Sequence, residues 1–138
     1  MKPVFADTFY WIALANRGDE AHQRVLDFSR NLSSALIVTT DEVLTEFLAF
    51  CASDSQLRIE AVAAVQEILA AAQARVIPQT RASFLAGLEL YRARPDKRYS
   101  LTDCIPMQTM RHEAISDILT NDRHFQQEGF RALFRDQK

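Results

Sequence analysis

Ala35-Leu36-Ile37-Val38-Thr39-Thr40-Asp41-Glu42 is the stretch on which the fold turns. Residues 35–38 are an apolar run with two β-branched members, which reads as a buried strand. Thr39, with Glu42 three residues later, then reads as the capping box of a helix. Val43, Leu44, Phe47, Leu48, Phe50 and Cys51 follow at helical spacing. A strand that passes directly into a helix is half of a βα unit, and such units build parallel sheets.

The alternation continues on both sides. Upstream, residues 4–6 form a short apolar strand, and Thr8 caps a helix over 8–15. Gly18 breaks that helix, and residues 20–32 repeat Ala21, Val25, Phe28 and Leu32 at helical spacing. Downstream, Ser53-Asp54-Ser55 interrupts the chain before an Ala-rich helix over 56–74. Residues 75–77 are a third strand closed by Pro78. Helices over 80–93 and 102–112 flank the charged connection Arg94-Pro95-Asp96-Lys97-Arg98. A fourth strand over 115–120, a short helix over 124–127 and a short strand over 131–134 complete the pattern. The expected fold is α/β: a three-layer α/β/α sandwich around a mainly parallel sheet of about five strands, in a single domain over residues 1–138.

Bulk properties narrow the function. The 138 residues are 48% apolar and 25% charged, ordinary for a soluble globular chain. A formal net charge of −2 excludes nucleic-acid binding by overall charge, so any such partner needs a local basic patch or a bound cation. Cys51 and Cys104 form no CxxC pair and are expected as buried, reduced thiols, which suits a reducing cytosol. The start, Met1 to Asp7, lacks the apolar run of a signal peptide. No apolar stretch approaches the ~20 residues that span a bilayer, so the expected location is the cytoplasm. The three glycines form no GxGxxG, which argues against dinucleotide binding.

Four acids stand where a parallel sheet gathers its functional groups. Sites in open α/β sheets form beyond the carboxyl ends of the strands. Asp7 follows the first strand, and Asp122 the fourth. Glu46 lies in the first two turns after the second strand, and Asp103 opens the helix that precedes the fourth. All four therefore belong to one edge. Clustered carboxylates raise one another's pKa values or take a counter-cation. Oxygen donors suit Mg²⁺ or Mn²⁺, as one or two ions, and His22, His112 and His124 have no zinc-like spacing. Singly, each acid has a plainer role: Asp103 at a helix N-terminus, Asp122 as an N-cap, Glu46 as a half-exposed helix acid.

Val4-Phe5-Ala6-Asp7-Thr8, Val43-Leu44-Thr45-Glu46-Phe47, Ser100-Leu101-Thr102-Asp103-Cys104-Ile105 and Leu119-Thr120-Asn121-Asp122-Arg123-His124-Phe125, followed by Gly129-Phe130, together resemble the four motifs of PIN domains in their order. The resemblance spans nearly the whole chain. It implies a metal-dependent ribonuclease with Asp7, Glu46, Asp103 and Asp122 as its acidic site and Thr120 as a supporting hydroxyl. Stand-alone members of this size are similar to VapC toxins, which implies an RNA substrate, a homodimer and a small antitoxin protein as partner. Pro106 departs from the pattern. It removes a helical hydrogen bond and crowds the Thr102 carbonyl, so strain near Asp103 is expected. Arg94, Lys97, Arg98, Arg123 and His124 are expected to form a basic rim that contacts RNA phosphates, with Tyr99 stacking on a base. Phe9, Trp11, Ile12 and Leu14 read mostly as core, with some of them available to a partner.

A phosphoacceptor receiver domain shares the size and the acid-rich Mg²⁺ site. It calls for two acids after the first strand, an acid after the third and a lysine after the fifth. This chain has Asp7 alone, Ile77-Pro78, and Arg135. A catalytically silent PIN-fold binding module is the other alternative.

Overall fold

A computed structural model describes residues 2–32 and 34–135. Five strands, β1 (Lys2–Ala6), β2 (Ala35–Thr40), β3 (Ala74–Ile77), β4 (Asp117–Leu119) and β5 (Arg131–Ala132), form one sheet in the order β3-β2-β1-β4-β5. Every pairing is parallel. The connections carry α1 (Thr8–Ala15), α2 (His22–Ser29), α3 (Asp41–Phe50), α4 (Ser55–Ala70), α5 (Arg81–Ala93), α6 (Leu101–His112) and α7 (Arg123–Gln127).

The strand order decides where helices and site lie. From β1 the chain steps outward to β2 and β3, then returns past β1 to β4 and β5. Right-handed crossovers that step in opposite directions put their helices on opposite faces. Accordingly α1, α3 and α4 pack with one another, while α6 packs with α5 and α7. The reversal falls between β1 and β4, and a crevice opens at such a switch point beyond the strand ends. A receiver-like sheet has the order 2-1-3-4-5, so the position of β3 outside β2 excludes that fold.

Apolar side chains from both faces fill the core. Phe5, Val38, Phe47, Met107, Met110, Ile118, Leu119 and Phe125 are fully buried. The α5–α6 contact is close enough to need glycine: a Cβ on Gly87 would lie 2.3 Å from Ile105 Cγ1.

Several local expectations change. The N-cap of α3 is Thr40, whose hydroxyl accepts from Val43 N at 3.2 Å. Thr39 remains in the strand and donates to the Ala6 carbonyl at 2.9 Å, locking β2 to the end of β1. Glu42 therefore closes no capping box and accepts from Ser83 Oγ at 3.3 Å. Helix α4 stops at Ala70 and β3 starts earlier, at Ala74. Helix α2 and strands β4 and β5 are shorter than their apolar patterns suggested. Helix α6 starts one residue earlier than expected, at Leu101, with Ser100 as its N-cap. Pro106 then lies inside it, buried, and the helix runs on to His112. The Thr102 carbonyl that loses its partner belongs to an exposed residue, where water can serve it.

Candidate functional site

Asp7 occupies the N-cap position of α1, yet its side chain makes no capping bond. Its Oδ2 instead accepts from Thr120 Oγ1 at 2.9 Å, across the β1–β4 switch point. The same Thr120 hydroxyl accepts from Asp122 N at 3.2 Å. Thr120 is fully buried and thus ties two acids of the site together.

Asp103 and Asp122 do have the plainer roles open to them, but those roles also aim them. Asp103 forms a capping box with Ser100: its Oδ2 accepts from Ser100 N at 3.0 Å, and its own N donates to Ser100 Oγ at 3.1 Å. Asp122 caps α7 by accepting from His124 N at 2.9 Å. These bonds fix both carboxylates at helix starts that face one crevice. His124 Nδ1 lies 3.1 Å from Asp103 Oδ2 and 3.4 Å from Asp122 Oδ1. One ligand atom from each of Asp103, Asp122 and His124 lies within 4.8 Å of the others, and all three residues are half-buried. No other group of this kind occurs among the described residues.

Glu46 and Asp7 adjoin this trio. Glu46 is exposed on α3 and accepts from the hydroxyl of Thr8, the residue next to Asp7. Asp7 feels the crowding most. Burial pushes its carboxyl up to about 7, against the lowering effect of the Thr120 bond, and the nearby Glu46 and Asp103 charges add to the rise.

The rim is only partly as expected. Lys97, Arg98 and Arg123 are exposed. Tyr99 is buried instead; its hydroxyl donates to Glu128 Oε1 at 3.0 Å and its ring packs against His124. Its face is unavailable to a base. Burial and that hydrogen bond push the phenol up to about 12. Arg94 is likewise committed to Glu128. His124 belongs to the acidic trio rather than to the rim. A signal for it was present: it follows a capping Asp by two residues, on the first turn of the capped helix. Nothing in the sequence marked Glu128.

A family model described as PIN domain matches residues 4–130. The chain belongs to the PIN-domain family. Among solved structures, this PIN domain is similar to the crystal structure of VapC20 from Mycobacterium tuberculosis, described as a sarcin-ricin loop cleaving toxin. The two share 25% identity with a TM-score of 0.82, over 92% of this chain and 95% of that one. No curated protein matches the sequence. The four motifs thus sit on the fold their resemblance implied.

Trp11 is core, its indole N–H directed at Thr39. The large exposed apolar side chains of the PIN domain among the described residues lie on other helices: Phe50 on α3, Ile59, Val62 and Leu69 on α4, and Phe84, Leu85, Leu88 and Tyr91 on α5. No helix among the described residues is long and apolar enough to cross a membrane.

Proposed function

We propose that this PIN-domain protein is a Mg²⁺- or Mn²⁺-dependent ribonuclease of the VapC-like toxin kind. The observation that carries the reading is the convergence of Asp7, Asp103, Asp122 and His124 at the β1–β4 switch point, with Glu46 joined through Thr8. The likeness to an RNA-cleaving toxin gives the activity its class; the RNA target is not inherited with it.

The residues fit a hard divalent cation. The donors of the trio are mostly carboxylate oxygens, and the charges of Asp7 and Glu46 lie close by. Asp103 and Asp122 would hold one or two ions, with Asp7 and Glu46 as the flanking carboxylates. A bound ion of this kind lowers the pKa of a water and stabilises charge on a scissile phosphodiester. The chain's own groups do the rest. Thr120 keeps Asp7 turned away from capping α1 and toward the crevice. The capping bonds of Asp103 and Asp122 pre-set both carboxylates, so little ordering remains when the site fills. His124 places a ring nitrogen between them. Hydrolysis leaves a 3′-hydroxyl and a 5′-phosphate and uses no side-chain nucleophile. Lys97, Arg98 and Arg123 receive phosphates of the RNA outside the acidic crevice.

The reading extends to partners and place. A small antitoxin and a second copy of the chain are the expected protein partners, and the exposed apolar residues of α4 and α5 offer surface for them. Both buried thiols are free, which suits the cytoplasm.

The test is digestion of RNA with Mg²⁺, with Mn²⁺ and with EDTA, beside Asp7→Asn and Asp103→Asn. Cleavage should require the metal and disappear in both variants while their circular dichroism stays native. Cleavage that survives EDTA, or full activity in both variants, would refute the mechanism.

A further inference from the structure

Helix α7 has only five residues, too few to stay helical in water unaided. Yet it carries His124 and starts on Asp122. Its first anchor is the contact of His124 with Asp103. The second is Glu128, which ends α7 one turn after His124, so that both side chains leave the same face.

Glu128 is a carboxylate almost out of water, its side chain 5% exposed. Arg94 grips it with both prongs, Nε to Oε1 and Nη2 to Oε2, each at 3.0 Å. Arg111 Nη2 donates to Oε2 at 2.6 Å and to the Glu128 carbonyl at 3.2 Å. Tyr99 donates its hydroxyl to Oε1 at 3.0 Å. The donors come from the end of α5, the connection before α6, and the last turn of α6. The Arg111 guanidinium also lies over the Phe130 ring, 5.2 Å from its centre. The Tyr99 ring centre is 5.4 Å from that of His124, so Tyr99 spans the distance from Glu128 to the acidic trio.

A carboxylate held by two guanidiniums and a phenol is in no position to act as a base. Nor is a buried ion cluster an efficient source of stability, since desolvation offsets most of its attraction. Its effect is to fix a geometry. Asp103 opens α6 and Arg111 closes it, so Asp103–His124 and Arg111–Glu128 pin α7 to α6 at both ends. We propose that Glu128 is a positioning residue of the acidic site: through Arg94, Arg111 and Tyr99 it holds α7 in register, so that Asp122 and His124 stay within ligand distance of Asp103. The proposal rests on the metal-site part of the reading above.

The experiment compares Mn²⁺ affinity of the full chain, read by electron paramagnetic resonance, with hydrogen exchange of the α7 amides and with thermal unfolding. Glu128→Gln removes the charge and presents an amide N–H₂ to donors that need an acceptor. It should weaken Mn²⁺ binding on the order of tenfold, as loss of a group that orients a metal ligand does, and speed exchange at Phe125. Tyr99→Phe keeps the ring on His124 and should shift both in the same direction by less. Glu113→Gln, which breaks the 2.7 Å pair with Arg75, is the control and should leave Mn²⁺ affinity unchanged. Wild-type Mn²⁺ affinity in Glu128→Gln, even with a lowered melting temperature, would overturn the proposal. If Glu128→Gln does not fold, unaltered Mn²⁺ binding and exchange in Tyr99→Phe overturn it equally. A wild-type chain that binds Mn²⁺ but cuts no RNA defeats the ribonuclease reading alone, and the Mn²⁺ data still decide the role of Glu128. A wild-type chain with no Mn²⁺ affinity overturns the positioning claim outright.

Discussion

Replacing Asp7 by asparagine should abolish cleavage and, without metal, make the protein more stable at alkaline pH. In the folded chain the Asp7 carboxyl is raised from 3.8 to about 7, chiefly by burial. A raised acid binds its proton more tightly folded than unfolded. Folding therefore takes up a proton between those two values, and stability falls as the pH rises through that window. Above about pH 7 the folded chain carries the full cost of an ionised Asp7. At 1.36 kcal/mol per pH unit the ceiling is on the order of 4 kcal/mol, about 3 of it lost between pH 5 and 8. Asp7 keeps some solvent contact, and screening brings the observable part to roughly 1–2 kcal/mol. Asparagine accepts the Thr120 bond through its carbonyl and does not titrate. Urea unfolding in EDTA at pH 5 and pH 8 measures the effect. The advantage of Asp7→Asn over wild type should grow by about 1–2 kcal/mol between the two. Mn²⁺ should reverse the ranking: at a hundredfold excess over its Kd it adds about 2.7 kcal/mol to the wild type, and far less to the variant. A pH-independent difference would refute the burial account of Asp7. Wild-type stability unmoved by Mn²⁺ would refute the cation.

Charge reversal at Lys97 and Arg98, both exposed and remote from the core, should weaken RNA binding in EDTA and flatten its salt dependence by about two counterions in slope; filter binding across a salt series checks this, and unchanged binding returns them to the solvated surface. Gly87→Ala should cost about 1–3 kcal/mol by forcing α5 away from Ile105; thermal unfolding reads it, and a neutral result would mean that the two helices part freely.

The family and the acids were legible because they depend on local signals in a fixed order. An acid placed straight after an apolar strand, as Asp7 is after Val4-Phe5-Ala6, needs no partner to be noticed. Asp103 and Asp122 stood at helix starts for reasons of capping that hold in any context. Parallel topology followed from the alternation of strand and helix patterns. The boundaries were less secure where two residues offered the same chemistry. Thr39 and Thr40 both cap well in isolation, and only the bond from Thr39 to the Ala6 carbonyl made Thr40 the cap.

The environment of the site was a tertiary matter. Tyr99 and Arg94 read as surface groups because tyrosine and arginine usually reach water, and nothing within their own segment says otherwise. What buried one and committed the other was Glu128, 29 and 34 residues away. The same holds for His124, whose place between Asp103 and Asp122 requires α6 and α7 to meet. Pro106 looked disruptive as a sequence feature. The helix nevertheless runs through it to His112, and the carbonyl it leaves without a partner belongs to exposed Thr102. Sequence by itself determined the sheet, its direction and the set of acids, since periodicity, capping and strand ends are properties of short segments. The packing of α5, α6 and α7 decided which cations are clamped and how the acids are held. Those outcomes depend on burial and distance between segments that meet only in the folded chain.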